Sequence, residues 1–146
     1  MVKGIDVSAY QGTIDWKKAL SAGVDFAILK VIRKDGKADK KFEENWKKCE
    51  DTGMPIQGVY NYSYATSVEK AVSDARAVLS VLNGRKAMVW LDVEDNCQKN
   101  MGEKLIKIIK AYQAVIVEAG LGFGIYTGNA FYNSYIKPYK GSVNAP

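Results

Sequence analysis

The sequence predicts an α/β fold built on a parallel sheet, and three observations carry that prediction. Short β-rich apolar runs alternate with helix-like runs along the chain. The helix-like runs are long enough to serve as right-handed crossovers between parallel strands. The fourth β-rich run turns acidic at its carboxyl end, which in a parallel sheet is the end where ligands bind.

Taken in order, residues 2–7 are apolar and β-rich, and a turn with Gly12 leads to a helical run over 15–22. There Trp16, Ala19 and Leu20 share a face before Gly23 stops the helix. Residues 26–32 form the second strand. After a charged turn over 34–36, Asp39 caps a helix whose Phe42, Trp46 and Cys49 recur at helical spacing, closed by Gly53 and Pro55. Residues 56–62 are strand three. Thr66 and Glu69 form a capping box ahead of Val68, Ala71, Val72, Ala75, Val78, Leu79 and Leu82, an amphipathic helix ended by Asn83-Gly84. Residues 88–94 are strand four. A fourth helix over 102–119 places Leu105, Ile108, Ile109, Tyr112, Val115 and Ile116 on one side, and residues 123–127 make strand five. The remainder, 128–146, reads as mostly loop. Such a succession fits either a doubly wound sheet or part of a barrel. The turn after the first strand, Asp6-Val7-Ser8-Ala9-Tyr10-Gln11-Gly12, lacks the Gly-rich fingerprint of a dinucleotide site.

The chain has 146 residues, of which 47% are hydrophobic and 25% charged, with 3 Pro beside 13 Gly, so disordered and collagen-like readings fail. One domain over 1–146 is expected, of a size that buries about 70% of its unfolded surface. No apolar run reaches the length of a membrane span, and the first residues lack a signal peptide's apolar core. Membrane insertion is not expected, and delivery to a target outside the cell requires phage-encoded release or another export route. The net charge of +5 suits polyanions. Much of the surplus lies in stretches of alternating sign such as 37–48, which read as a solvated face, so no nucleic-acid partner is expected. The absence of histidine removes Ser-His-Asp and Cys-His catalysis and nearly all zinc sites. Cys49 and Cys97 match no metal spacing and read as free thiols.

The candidate chemistry sits in Trp90-Leu91-Asp92-Val93-Glu94. Strand alternation points Asp92 and Glu94 to the same face with Cα atoms about 6.6 Å apart. At that separation one carboxylate raises the other's pKa, which leaves a proton donor beside a charged group near neutral pH. Glycosidic bond cleavage uses that division of labour. The same short pattern also describes a strand running into a solvated acidic turn. Asp6 ends the first strand at the same face, and Tyr10, Tyr60, Tyr62 and Tyr64 stand at strand ends, where an aromatic, acidic cleft suits sugar rings. A metal-dependent phosphoryl-transfer protein is the rival reading, without a Gly-rich phosphate loop to accompany the acids.

Gly4-Ile5-Asp6-Val7-Ser8, Gln11-Gly12, Ile14-Asp15-Trp16, Phe26-Ala27-Ile28-Leu29-Lys30, Gly58-Val59-Tyr60, Leu91-Asp92-Val93-Glu94 and Gly124-Ile125-Tyr126-Thr127 together resemble the glycoside hydrolase family 25 lysozymes. The resemblance runs in order along the whole chain. It implies an irregular TIM-like (β/α) barrel of parallel strands and an N-acetylmuramidase of phage endolysin or bacterial autolysin type, acting on cell-wall peptidoglycan glycan strands without a cofactor or metal. It implies Glu94 as general acid/base, Asp92 as its partner and Asp6 as a third acid, with retention of configuration. Substrate contacts are implied at Tyr10, Lys30, Tyr60, Asn61, Tyr62 and Tyr126.

Three departures from the family pattern stand out. Asn61 replaces the usual His after Gly-x-Tyr, and Ile32-Arg33-Lys34-Asp35-Gly36 replaces the usual Thr-Glu-Gly after the second-strand Lys. The sequence ends at Ser142-Val143-Asn144-Ala145-Pro146, before the family's last barrel strands, so the expectation is a barrel incomplete at its C-terminal end, with self-association through open sheet edges. A non-catalytic glycan-binding remnant is the alternative that this departure raises.

Overall fold

The computed structural model describes residues 2–142. Its sheet has five strands, β1 (Gly4–Val7), β2 (Phe26–Lys30), β3 (Ile56–Tyr62), β4 (Val89–Asp92) and β5 (Phe123–Tyr126), all parallel and neighbouring in sequence order. That order decides between the two parallel architectures. A doubly wound sheet reverses direction part-way, whereas successive right-handed crossovers without reversal place the helices on one side and curve the sheet as a barrel wall. The connecting helices are α1 (Trp16–Ser21), α2 (Phe42–Thr52), α3 (Val68–Leu82) and α4 (Glu103–Glu118). Among the described residues, β1 and β5 each have a strand partner on one side only.

Side-chain alternation gives the sheet two different faces. Ala27, Leu29, Val59, Val89 and Leu91 are buried under the helices against Cys49, Ala71, Ala75, Val78, Ile108, Tyr112 and Ile116. Burial of that apolar layer is the main stabilising term of the domain. On the opposite face Phe26, Ile28, Tyr60 and Trp90 are only half-buried. The two cysteines are free, Cys49 buried in α2 and Cys97 exposed beyond β4.

Local signals differ from expectation at three places. α3 is capped by Ser67, whose side chain accepts from the Lys70 amide at 3.1 Å, one residue after the expected Thr66. α2 begins at Phe42 without a side-chain cap, because the Asp39 carboxylate turns back to accept from the Ala9 amide at 2.9 Å and the Lys41 amide at 3.1 Å. It thereby ties the loop after β2 to the turn after β1. The segment expected to be loop is helical instead, running through α5 (Asn129–Phe131), a π turn over Tyr132–Ile136 and a 3-10 segment over Lys137–Ser142. Phe131 and Ile136 are buried, and the Phe131 and Tyr135 rings stand 5.0 Å apart across one helical turn. Met1 and residues 143–146, including most of the C-terminal run read above, lie outside the described residues.

Two glycines carry the half-open face. The Trp90 indole lies across Gly58 of β3 and Gly124 of β5, where a Cβ on Gly124 would stand 2.4 Å from the ring. Gly124→Ala should therefore dislodge Trp90 and cost about 1–3 kcal/mol in urea unfolding. An unchanged midpoint would show that the indole has room to move.

Candidate active site

The half-open face of the sheet forms a cleft of about 200 Å³ that runs from Gly4 and Phe26 at the strand starts, past Ile5, Ile28, Tyr60 and Trp90, to Asp6, Asp92 and Tyr126 at the carboxyl ends. Strand register explains the set. Tyr60 pairs with Lys30 on one side and Trp90 on the other, and one row higher Tyr62, Asp92 and Tyr126 stand abreast. Asp6 is level with Ile28 on the neighbouring strand. Asp92 is 7% exposed, and Glu94, two residues on and half-buried, stands near enough for its charge to act on the Asp92 carboxyl.

The backbone between the two acids is held from both sides. The Ser63 amide donates to the Asp92 carbonyl at 2.9 Å, and the Val93 amide donates to the Tyr126 carbonyl at 2.8 Å. The Thr127 hydroxyl donates to the Val93 carbonyl. β-type pairing thus continues on either side as far as Val93, and Glu94 follows directly beyond it.

The family model for glycosyl hydrolases family 25 matches residues 5–145. This chain belongs to that family. It is similar to the YegX protein of Escherichia coli K12, 27% identical over 145 residues that cover 94% of this chain and 52% of the relative. Among solved structures it is similar to the modular autolysin LytC of Streptococcus pneumoniae, with a TM-score of 0.83 and 28% identity over 93% of this chain and 34% of that one. It is also similar to the bacterial lysozyme of Streptomyces coelicolor, with a TM-score of 0.75 and 26% identity over 96% and 69% of the two chains. The chain spans about half the length of YegX and about a third of the autolysin.

Within this family 25 chain, the structure brings Asp6, Tyr60, Asp92 and Tyr126 together at the cleft, with Glu94 against Asp92, Lys30 beside Tyr60 and Tyr62 beside Asp92. Two other positions are corrected. Asn61 faces the helices, 2% exposed, and its Nδ2 donates to the Tyr112 hydroxyl at 3.1 Å. The pleat requires this, since Tyr60 and Tyr62 on either side of it lie on the opposite face, where Tyr60 lines the cleft. Tyr10 is 94% exposed in the 3-10 turn after β1 and lines no part of the cleft. The sequence reading passed over Phe26, Ile28 and Trp90 as lining residues. Counting back by two from Asp92 finds Trp90, and counting back from Lys30 finds the other two.

Electrostatics separate the acids. Burial first, then the Glu94 charge and hydrogen bond and the Asp6 charge, push the Asp92 carboxyl up to about 8. Its Oδ1 is buried without a hydrogen-bond partner among the described residues, which disfavours a charge there. Burial and the Asp6 charge hold Tyr60 protonated, its hydroxyl up at about 12. Tyr62 is raised by burial and by its hydrogen bond to Asp95, to whose Oδ1 it donates at 3.1 Å. At neutral pH the site therefore offers a proton on Asp92, with neutral phenols around it.

An acid held protonated by its native surroundings gives the folded state an extra proton between its ordinary value of 3.8 and about 8, so its contribution to stability is lost as pH rises through that window. Asp92→Asn should remove this dependence. Urea unfolding should show variant and wild type nearly equal at pH 4 and the variant more stable by about 1–3 kcal/mol at pH 8.5. Parallel curves would show that Asp92 is already ionised at neutral pH.

Proposed function

We propose that the chain is the catalytic domain of a peptidoglycan muramidase, cutting the β-1,4 bond between N-acetylmuramic acid and N-acetylglucosamine in bacterial cell walls. The observation that carries this reading is the buried Asp92 carboxyl, raised by burial and by Glu94 two residues on, at one end of an aromatic-lined cleft in a family 25 chain. One relative, the LytC autolysin, has been solved in complex with a synthetic peptidoglycan ligand.

In this reading Glu94 is the general acid/base and Asp92 its partner. As the glycan enters, the Asp92 proton passes to Glu94 and from there to the glycosidic oxygen, and the C1–O bond breaks. The N-acetyl carbonyl oxygen of the same sugar attacks C1, and Asp92, now charged, faces the positive ring. Water then attacks C1, gives its proton to the Glu94 carboxylate and restores the acid, so configuration is retained. Asp6 adds negative charge that keeps the proton within the pair. Tyr60, Tyr62, Tyr126 and Lys30 supply the contacts to sugar hydroxyls.

Glu94→Gln should lower turnover by about 10²–10⁴-fold while glycan binding stays nearly intact. Mass spectrometry of fragments released from purified walls should find new reducing ends on muramic acid. New ends on glucosamine would overturn the bond assignment, and a tenth or more of the activity surviving in Glu94→Gln would overturn the acid. Binding by the wild type without any release would favour the glycan-binding alternative. Turnover should also persist in chelator, because carboxylate acid/base chemistry needs no cation between the groups, whereas recovery only on adding Mg²⁺ would point to phosphoryl-type chemistry.

A further inference from the structure

The loop where the chain departs from the family's Thr-Glu-Gly pattern is a built hairpin. Ile32 and Ala38 form an antiparallel bridge, the Arg33 amide donates to the Lys37 carbonyl at 2.7 Å, and Gly36 takes the positive φ of 84° that the turn requires. Asp35 is occupied within it, paired with Arg33 and accepting from the Lys37 amide at 3.0 Å. Lys34 is treated differently. Its ammonium lies over the Tyr64 ring, 4.7 Å from the centroid, and among the described residues no carboxylate stands within ion-pair distance of it.

A short chain of contacts leads from this cation to the acid pair. The Tyr64 ring packs on Tyr62 at 4.9 Å, Tyr62 bonds Asp95, and Tyr62 feels the charge of Glu94. A ring face orients an ammonium without neutralising it, and Asp95, whose carboxylate the Lys34 charge helps to lower, stands beyond ion-pair distance, so Lys34 is held in place with much of its charge unmatched. A positive charge fixed beside an otherwise acidic cleft suits a substrate that is neutral along its sugar backbone and anionic at its edge. We infer that Lys34 binds a carboxylate on the lactyl-peptide arm of muramic acid, and so favours strands that carry one over uncharged glycans. This rests on the proposed peptidoglycan substrate and adds the part of that substrate which the hairpin reads.

The test measures binding, so that it stands apart from turnover. Soluble glycan strands freed of phosphate polymers are prepared in three forms: with stem peptides, without peptides but with the lactyl carboxylate, and with all carboxyls converted to neutral amides. Kd is measured at low salt for wild type, Lys34→Gln, Lys34→Glu and Lys34→Arg, each checked for folding by circular dichroism. Lys34→Gln should weaken binding to the charged strands about 2–5-fold and Lys34→Glu about 5–20-fold, with Lys34→Arg near wild type. On amide strands the variants should match wild type. A loss seen only with peptide-bearing strands assigns the carboxylate to the peptide, and one seen with both assigns it to the lactyl group. An equal loss on amide strands, or none on any, overturns the inference and leaves the proposed function intact. Wild type that binds none of the three forms overturns both.

Discussion

The strict two-residue alternation of a β-strand is the constraint on which the rest of this molecule depends. In β3 and β4 it sends Val59, Asn61, Val89 and Leu91 under the helices and Tyr60, Trp90 and Asp92 into the cleft, with Tyr62 beside Asp92 on the same face. Core and site are therefore two faces of the same residues' backbone. A slip of one residue in the β3–β4 register would bury the tyrosines and carry Asp92 into the apolar layer. The register that closes the hydrophobic layer is also the one that sets Tyr62, Asp92 and Tyr126 abreast.

Holding Asp92 in that position is unfavourable for a charge, and what surrounds it keeps the proton on. A carboxyl that is 7% exposed, with one oxygen unpartnered and two further acids near, keeps a proton more cheaply than it ionises. The neighbouring groups do not relieve this, since the nearby phenols of Tyr60 and Tyr62 are themselves held neutral by burial. The cost is tolerated because the backbone at Asp92 and Val93 is hydrogen-bonded on both sides and cannot swing the carboxyl out to water. Sheet pairing thus converts local folding energy into a poised proton.

Much of this was legible in the sequence, for a definite reason. The apolar runs that became β1–β5 are bounded by Gly, Pro and charged turns, and the Asp-x-Glu spacing places two acids on one face wherever the backbone there is extended. Asn61 was misplaced because a family motif was followed where strand parity already said otherwise. Thr66 and Ser67 compete for one cap, and only the helix start decides between them. Asp39 looks like a cap and serves as a tie between loops, a long-range contact that no local pattern encodes. The helical segment after β5 did carry a signal, with Phe131, Tyr135 and Tyr139 at spacing four, but Gly128 and the polar Asn residues around it suggested turns.

The loops above the sheet show how a floor's precision is carried upward. Gln98, 0% exposed in the loop after β4, donates from Nε2 to the Ser63 hydroxyl at 2.9 Å and to the Ala65 carbonyl at 3.0 Å. Both of its amide hydrogens are spent on the loop after β3, and Tyr62 reaches back to Asp95 in the other direction. These opposed bonds cross-link the segment carrying the tyrosines to the segment carrying Glu94. Glu94 lies beyond the end of β4, where pairing in the sheet proper has stopped, so its position relative to Tyr62 depends on that cross-link as much as on the strand. Asp92 takes its place from the sheet and Glu94 from the loops. Of the two acids, the proposed proton donor is accordingly held by contacts between loops, while its partner is held by the sheet.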